Sequence, residues 1–274
     1  MKCYFFPPQK GQKSSLVEGN SIRSTERMTG VAKHTILSLL EDLGRACGHF
    51  QDICLTDLPC RHIQCDEVWS FCYAKEKNLP ENLRGQFGYG SVWTWTAICA
   101  DCKLVPCWLV GLRDADYGSV FMQDLARRLT HRVQLTTDGH RAYLEAVETA
   151  FGADIDYAML IKLYGAPPES DTRYSPSECI GVQSQRIHGN PEFAHISTSY
   201  AERQNLSMRM AMRRMTRLTN GFSKKVENLQ HATSLYFMYY NFARIHSTLR
   251  VTPAMEAKIT RHVWTIEEIL GLVE

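Results

Sequence analysis

Three carboxylates that lie far apart in the sequence could together perform metal-dependent chemistry. Asp66 lies within a largely apolar segment, Asp138 directly follows another and precedes Gly139, and Glu202 precedes a run of basic residues. A carboxylate in an apolar strand is costly to bury unless a cation neutralises it. Oxygen ligands alone suit Mg²⁺ or Mn²⁺ rather than zinc. We therefore expect the three acids to hold about two such ions, as in two-metal sites that catalyse in-line displacement at a phosphodiester.

Each of these acids also has a simpler structural explanation. Asp66 could be partly exposed or ion-paired, and Glu67, which points to the opposite face of a strand, could serve the site in its place. Asp138 could be a helix-capping aspartate. The spacing of Ser199 and Glu202 matches a capping box, in which the glutamate only accepts a backbone hydrogen bond. The sequence alone leaves these alternatives open.

A basic segment follows the third acid. Residues 203–225 contain seven Lys or Arg residues and no Asp or Glu, although the net charge of the whole chain is only +2. At helical spacing, Arg209 and Arg213 fall on the same face as Glu202. A carboxylate beside arginines suits a phosphodiester site, whereas the alternative is a solvated helix face. The residues of this segment that could contact phosphates are Arg203, Arg209, Arg213, Lys224 and Lys225.

The N-terminal part of the chain predicts a helix-turn-helix. Residues 22–47 show helical periodicity on both sides of Gly30. Lys33, His34 and Thr35 then begin the second helix, where base-contacting residues lie in such motifs. The alternative is a helical hairpin that packs on the main domain. Residues 1–20 are polar and aperiodic, and we expect them to be flexible.

The remaining pattern predicts an α/β domain with a mixed five-stranded sheet flanked by helices. We expect strands at residues 61–73, 92–99, 104–110, 133–137 and 155–163, and helices at 116–130, at 141–151 and after 199. In the first of these helices we expect Val120, Leu125 and Leu129 to face inward. Residues 164–198 are rich in Pro, Ser and Gly, and we expect a mobile active-site flap. The predicted organisation is a flexible N-terminus (1–20), a DNA-binding region (21–58), a catalytic domain (59–225) and a C-terminal helical region (226–274).

The ten cysteines of the chain do not indicate a disulfide scaffold. Several lie in apolar, strand-like segments, where a reduced Cys behaves as a small hydrophobe. Cys99 and Cys102 form one C-x-x-C pair, followed by Cys107, but a closed zinc site usually needs two pairs and no second pair is nearby in the sequence. We therefore expect no zinc. The chain has no apolar segment of transmembrane length and no signal peptide pattern, which predicts a cytoplasmic protein without a membrane partner.

Taken together, these segments resemble a known family. Residues 65–69 (CDEVW), 137–143 (TDGHRAY) and 200–205 (YAERQN) look like the three blocks of DDE insertion-sequence transposases, of the IS-one type. Residues 240–249 (YNFARIHSTL), with Thr252 and Pro253, resemble the C-terminal signature of that family. The similarity covers roughly residues 20–257, and the blocks are specific when they occur together.

The resemblance implies an RNase H-like fold in which Asp66, Asp138 and Glu202 are the metal ligands. It implies that water attacks at the ends of the element and that the freed 3′-OH then attacks target DNA, without a covalent protein–DNA intermediate. Expected partners are double-stranded DNA, as terminal inverted repeats and as target, and at least a second copy of the chain, in the nucleoid. Asn205 and His246 are expected auxiliary residues near the site.

The family also implies a helix-turn-helix that finds the ends of the element, here the region before residue 58. Some members carry an N-terminal zinc ribbon with paired cysteines. Cys3 stands alone, so we expect that module to be missing or truncated and end recognition to be impaired.

Two other functions fit the same residues. One is a nuclease with the same core that hydrolyses DNA without strand transfer. The other is a non-catalytic DNA-binding protein that has kept the fold of a transposase. The presence of all three acids favours catalysis.

Overall fold

The central sheet positions the predicted acids. The computed structural model describes residues 15–165 and 179–273, which form an α/β fold with a mixed six-stranded sheet flanked by helices. The strands are β1 (His62–Cys72), β2 (Gly90–Cys99), β3 (Trp108–Gly111), β4 (Val133–Thr137), β5 (Ile155–Tyr164) and β6 (Cys179–His188), in the order β3-β2-β1-β4-β5-β6. Strands β1, β4 and β5 run parallel, and the other pairs are antiparallel. The α/β class is confirmed, but the expected number of five strands is wrong.

The sixth strand lies in the segment that we expected to be a loop. β6 pairs with β5 along its length, so that part of residues 164–198 is regular structure. Most residues of β6 are exposed. An edge strand held by backbone hydrogen bonds needs no alternation of apolar residues, and its sequence therefore looks like that of a loop. Residues 166–178 of the predicted flap lie outside the described residues.

Strand β3 is shorter than expected. Before it, the backbone of Val105 forms hydrogen bonds with the side chain of Asn241 instead of with a neighbouring strand. The predicted strand began at residue 104, whereas β3 begins at Trp108. The amide of the buried Asn241 accepts a hydrogen bond from the Val105 N–H and donates one to the Val105 carbonyl, each at 3.0 Å. The C-terminal region is thereby tied to the turn between β2 and β3.

Eight helices in the described ranges surround the sheet. They are α1 (Ile22–Thr29), α2 (Lys33–Cys54), α3 (Ala115–Arg127), α4 (Ala142–Phe151), α5 (Ser199–Ala211), α6 (Val226–Met238), α7 (Pro253–Glu256) and α8 (Ile266–Gly271). A π-helical turn, Tyr239–Ala243, extends α6. In α3, Phe121 and Met122 are buried beside Leu125, whereas Val120 is 56% exposed, so the inward position predicted for Val120 is wrong.

The two N-terminal helices meet at Gly30, whose φ of 72° gives the left-handed turn that ends α1. The backbone N–H of Lys33, at the start of α2, donates to the carboxylate of Glu26 at 2.9 Å. Helix α2 packs against α6 with its buried face. This packing agrees with the alternative interpretation, in which the two N-terminal helices form a hairpin on the main domain. Its first residues, Lys33, His34 and Thr35, are exposed.

Of the N-terminal segment expected to be flexible, residues 1–14 lie outside the described residues. Val17 and Leu40 of α2 are both buried in the main core.

None of the helices in the described part of the chain has the length and apolar character needed to span a bilayer.

The contact between α2 and α6 generates a stability prediction. A Cβ atom at Gly44 of α2 would lie 2.4 Å from the Cβ and 2.5 Å from the Cα of His231, so the two backbones approach too closely for any side chain. Gly44→Ala should therefore lower the free energy of unfolding by about 1 to 3 kcal/mol, because overpacking outweighs the better helix propensity of Ala. Thermal or urea unfolding measures the change.

Gly48→Ala is the matched control on the same helix. Its Cβ would meet only the Ser234 hydroxyl oxygen, at 3.3 Å. We expect its stability to stay within about 1 kcal/mol of the wild type. Equal effects of the two substitutions would contradict the close approach of α2 and α6.

Candidate active site

Asp66 and Asp138 lie side by side because of the parallel pairing of β1 with β4. Gln64 is paired with Thr136, and the two acids follow two residues later in each chain. The carboxylate of Asp138 accepts a hydrogen bond from the His140 N–H at 2.9 Å, which orients it in the turn after β4. Helix α4 begins only at Ala142, so Asp138 is not its cap.

Glu67 faces the opposite side of β1, as strand alternation requires. Its side chain is 1% exposed and accepts a hydrogen bond from Arg113 Nε at 3.0 Å. Arg113 Nη2 also lies 3.4 Å from the Asp138 carboxylate, and the guanidinium stacks over the ring of Trp93. Arg113 therefore joins Glu67 to Asp138. The sequence offered no signal for it, because a single Arg after a strand is common.

Asp66, Glu67 and Asp138 each offer a carboxylate oxygen, and these oxygens lie within 4.8 Å of one another. Glu67 Oε1 and the Tyr143 hydroxyl are both buried without a hydrogen bond of standard geometry, and these two side chains interact with each other. A hard divalent cation such as Mg²⁺ or Mn²⁺ takes oxygen ligands of this kind. The residues present therefore fit such an ion, and Glu67 takes part in the cluster together with Asp66.

The crowding of these acids changes their protonation. Burial, followed by repulsion from Asp138, raises the pKa of Asp66 to about 6. Hydrogen bonds from the Glu67 N–H and from Asn205 oppose this rise. Burial and Asp138 also raise the pKa of Glu67 to about 7, although the Tyr143 hydroxyl and the charge of Arg113 favour its charged form. Shifts of this kind, caused by desolvation and like charge, are typical of functional sites.

Asn205 is the auxiliary residue that the structure brings to the acids. It lies on α5, and its Nδ2 donates to Asp66 Oδ2 at 2.8 Å. Within the described part of the chain, Asp66 has no ion-pair partner of its own. The ion-pair explanation for Asp66 is therefore not supported.

Glu202 lies on the same helix as Asn205 but outside the group of three acids. Its carboxylate is held by Lys162 Nζ and by the Thr198 hydroxyl, each at 2.5 Å. Helix α5 begins at Ser199 after Thr198, without a side-chain cap, so the capping-box explanation is wrong. Glu202 is close enough to contribute to the raised pKa of Asp66.

The helical alignment expected for the two arginines is only partly correct. Helix α5 ends at Ala211, and Arg213 lies in the following 3₁₀ turn. Arg209 is half-buried and donates to the carbonyls of Trp69 and Met215, at 3.4 and 3.2 Å. It connects β1 to the segment after α5, rather than standing free on a helix face. Arg203 is exposed on α5.

A basic cleft of about 1240 Å³ lies at the far end of β1. Its cationic residues come from three regions, and none of the described residues that line it is acidic. They are Arg23, Arg27, Lys33, Lys75, Arg213, Arg214, Lys224 and Lys225. Phe71 and Phe222, with ring centroids 4.6 Å apart, also line the cleft. The described lining of this cleft is therefore positively charged and partly aromatic.

The cleft collects several of the residues predicted to bind DNA. Lys33 and His34 from α2 line it, whereas Thr35 is exposed outside it. Arg23 and Arg27 were missed, although their spacing of four residues places them on one helix face. Arg214 is turned inward and donates to Asn228 O and Ser223 Oγ, so it holds the wall of the cleft.

His246 lies in the loop after the π-helical turn. Its Nδ1 is 3.0 Å from the Thr248 hydroxyl, and burial, with nearby Lys103 and Arg244, lowers its pKa. None of these neighbours of His246 belongs to the acid cluster.

Comparison of the chain with protein-family models and with curated proteins finds no match.

The raised pKa of Asp66 predicts how stability depends on pH. The charged form is disfavoured in the folded state, so its cost is absent below the ordinary pKa of 3.8 and is fully present above about 6. In the presence of EDTA, Asp66→Asn should therefore stabilise the protein by up to about 3 kcal/mol at pH 8 and by little near pH 4. Thermal unfolding across this range measures the difference.

Asp154→Asn, at an exposed acid before β5, is the control and should change stability little at either pH. Added Mg²⁺ should stabilise the wild type more than Asp66→Asn. An Asp66→Asn protein that is no more stable than the wild type at pH 8 in EDTA would contradict the crowding of the acids.

The cleft generates a separate prediction on DNA binding. Arg27→Ala and Lys224→Ala should each weaken binding to duplex DNA and reduce the slope of log affinity against log salt by about 1. Arg45→Ala, at an exposed arginine of α2 that pairs with Glu41, is the control and should leave the slope unchanged. Fluorescence anisotropy at several salt concentrations tests this, and equal slopes for all four proteins would rule out the cleft as the phosphate contact.

Proposed function

We propose that this protein is a DNA transposase that cuts DNA at the ends of an insertion element and joins the freed 3′-OH to target DNA. The observation that carries the proposal is the position of Asp66 and Asp138 at matching places on two adjacent parallel strands. Carboxylates so placed favour a metal-dependent phosphodiester reaction. The strand order β3-β2-β1-β4-β5 is compatible with an RNase H-like core to which β6 has been added.

In the proposed reaction Asp66 and Asp138 would hold the metal. Glu202, which lies outside the group of Asp66, Glu67 and Asp138, would have to leave Lys162 to join them from α5. Bound Mg²⁺ or Mn²⁺ ions, two in sites of this class, would activate the attacking oxygen and stabilise the leaving one. Asn205 holds the carboxylate of Asp66 in place, at 2.8 Å. Lys162 keeps Glu202 next to the cluster while that acid is charged.

The chain also supplies the binding of the DNA backbone. The exposed lysines and arginines of the basic cleft neutralise phosphates, and the resulting affinity is independent of base sequence. Lys33 and His34, at the exposed start of α2, are proposed to contact the ends of the element. Two ends must be held together for joining, so we propose that at least two copies act on the DNA.

The experiment uses duplexes that end in the candidate inverted repeats flanking the coding sequence, with Mg²⁺ or Mn²⁺. Joined products support transposition. Nicks without joining would indicate a nuclease, and retention without products would indicate a DNA-binding protein. EDTA should abolish every product.

Asp138→Asn should reduce both nicking and joining by at least about 100-fold, because the metal ion that stabilises the transition state loses a carboxylate ligand. DNA binding should remain, since Asp138 is not part of the basic cleft. The matched control is Asp154→Asn, at an acid next to the opposite end of the sheet, and it should keep both activities. Loss of DNA binding together with activity in Asp138→Asn would instead indicate a folding role.

A further inference from the structure

Three cysteines outside the acid cluster come together at the edge of the core. The sulfurs of Cys60, Cys99 and Cys102 lie within 4.8 Å of one another, and all three side chains are buried. No disulfide joins them, since all three are free thiols. The sequence led us to expect no zinc because Cys99 and Cys102 lack a second pair nearby. The fold supplies Cys60, from the segment before β1, as a third sulfur.

We propose that Cys60, Cys99 and Cys102 bind a structural zinc ion. Three thiolates on a tetrahedral ion, with Zn–S bonds of about 2.3 Å, place their sulfurs about 3.8 Å apart. The observed cluster is within reach of that spacing. Sulfur ligands also distinguish this site from the all-oxygen cluster at Asp66, because thiolates select Zn²⁺ whereas carboxylates suit Mg²⁺.

The backbone around Cys99 and Cys102 has the shape of a metal-binding turn. Lys103 adopts a φ of 60°, and its N–H donates to the Cys99 carbonyl at 2.9 Å, which closes the turn. This turn places the sulfurs of Cys99 and Cys102 within 4.8 Å of the Cys60 sulfur.

Asp101 is the oxygen ligand that could take the fourth position after a movement of its side chain, since its carboxylate is not within 4.8 Å of all three sulfurs. Asp101 Oδ2 lies 3.7 Å from the Cys99 sulfur. Bond lengths of about 2.3 Å to sulfur and 2.1 Å to oxygen predict a separation of about 3.6 Å between such ligands on one tetrahedral ion. His62 holds Asp101 through its ring and its backbone N–H, at 2.9 and 3.2 Å. Hydrogen bonds of this kind orient metal ligands from outside the coordination sphere.

Binding of the ion would exchange the three thiol protons for Zn²⁺ and release them to solvent, without any change in oxidation state. The ion would join the segment before β1 to the turn that follows β2. Since Asp66 lies four residues after His62 on β1, the zinc would hold the strand that carries the first acid. Its role would be structural and separate from the proposed reaction.

The test begins with wild-type protein purified under reducing conditions from zinc-supplemented medium. We expect about one zinc per chain by elemental analysis, and on replacement by Co²⁺ an intense thiolate-to-cobalt absorption band whose strength corresponds to three sulfurs. Absence of that band, or a disulfide between two of the three cysteines in the alkylated protein, would overturn the proposal. This measurement needs no variant.

Variants then identify the ligands. Cys60→Ser, Cys99→Ser and Cys102→Ser should each lose most of the bound zinc and weaken the cobalt band. Cys54→Ser, at a half-buried cysteine outside the cluster, should keep both, and so should Asp138→Asn. Zinc retained at the wild-type level by all three cluster variants, or lost in Asp138→Asn, would refute the site. Circular dichroism shows whether a variant that has lost zinc is still folded. If a cysteine variant does not fold, the cobalt spectrum of the wild-type protein decides whether the three sulfurs bind the metal.

Discussion

Repulsion among carboxylates at the junction of β1 and β4 is the constraint on which the rest of this structure depends. Parallel pairing brings Asp66 and Asp138 together, and Glu67 adds a third buried acid. The desolvated charges would destabilise the fold if nothing compensated them. Their raised pKa values express that cost, since Asp66 reaches about 6 and Glu67 about 7. A protein without use for these acids would lose little by replacing them with apolar residues.

The compensation comes from separate elements, and this explains why the fold is arranged around the junction. Arg113, between β3 and α3, joins Glu67 to Asp138. Asn205 on α5 donates to Asp66 from the other face of the sheet. Lys162 on β5 pairs with Glu202, so that the fourth acid stays beside the cluster without adding a bare charge to it. Each partner offsets part of the repulsion.

The sequence predicted those parts of the fold and the site that depend on residues close together in the chain. It did not predict contacts between distant segments. Apolar alternation predicted five of the strands within a few residues, and β4 with the same bounds, because burial on a sheet sets that pattern. β6 was missed because an exposed edge strand lacks it. Asp66 and Asp138 could be proposed from their places in strands, but the partner Arg113 could not, since it meets Glu67 only through the β3 connection. In the same way, Cys60 had no visible link to Cys99 until β1 and β2 were paired.

The acid cluster and the basic cleft are both connected to β1. Phe71 lines the cleft and lies five residues after Asp66 on that strand, which corresponds to about 17 Å. Arg209 reinforces this stretch by donating to the carbonyls of Trp69 and Met215, so it ties β1 to the cleft wall. In the proposed function, the described residues of the cleft, none of which is acidic, would bind the DNA backbone, and the acids would hold the metal ions. The two opposite charges are then kept apart along one strand, so that the negative charge of the acid cluster does not cancel the attraction of the cleft for phosphates.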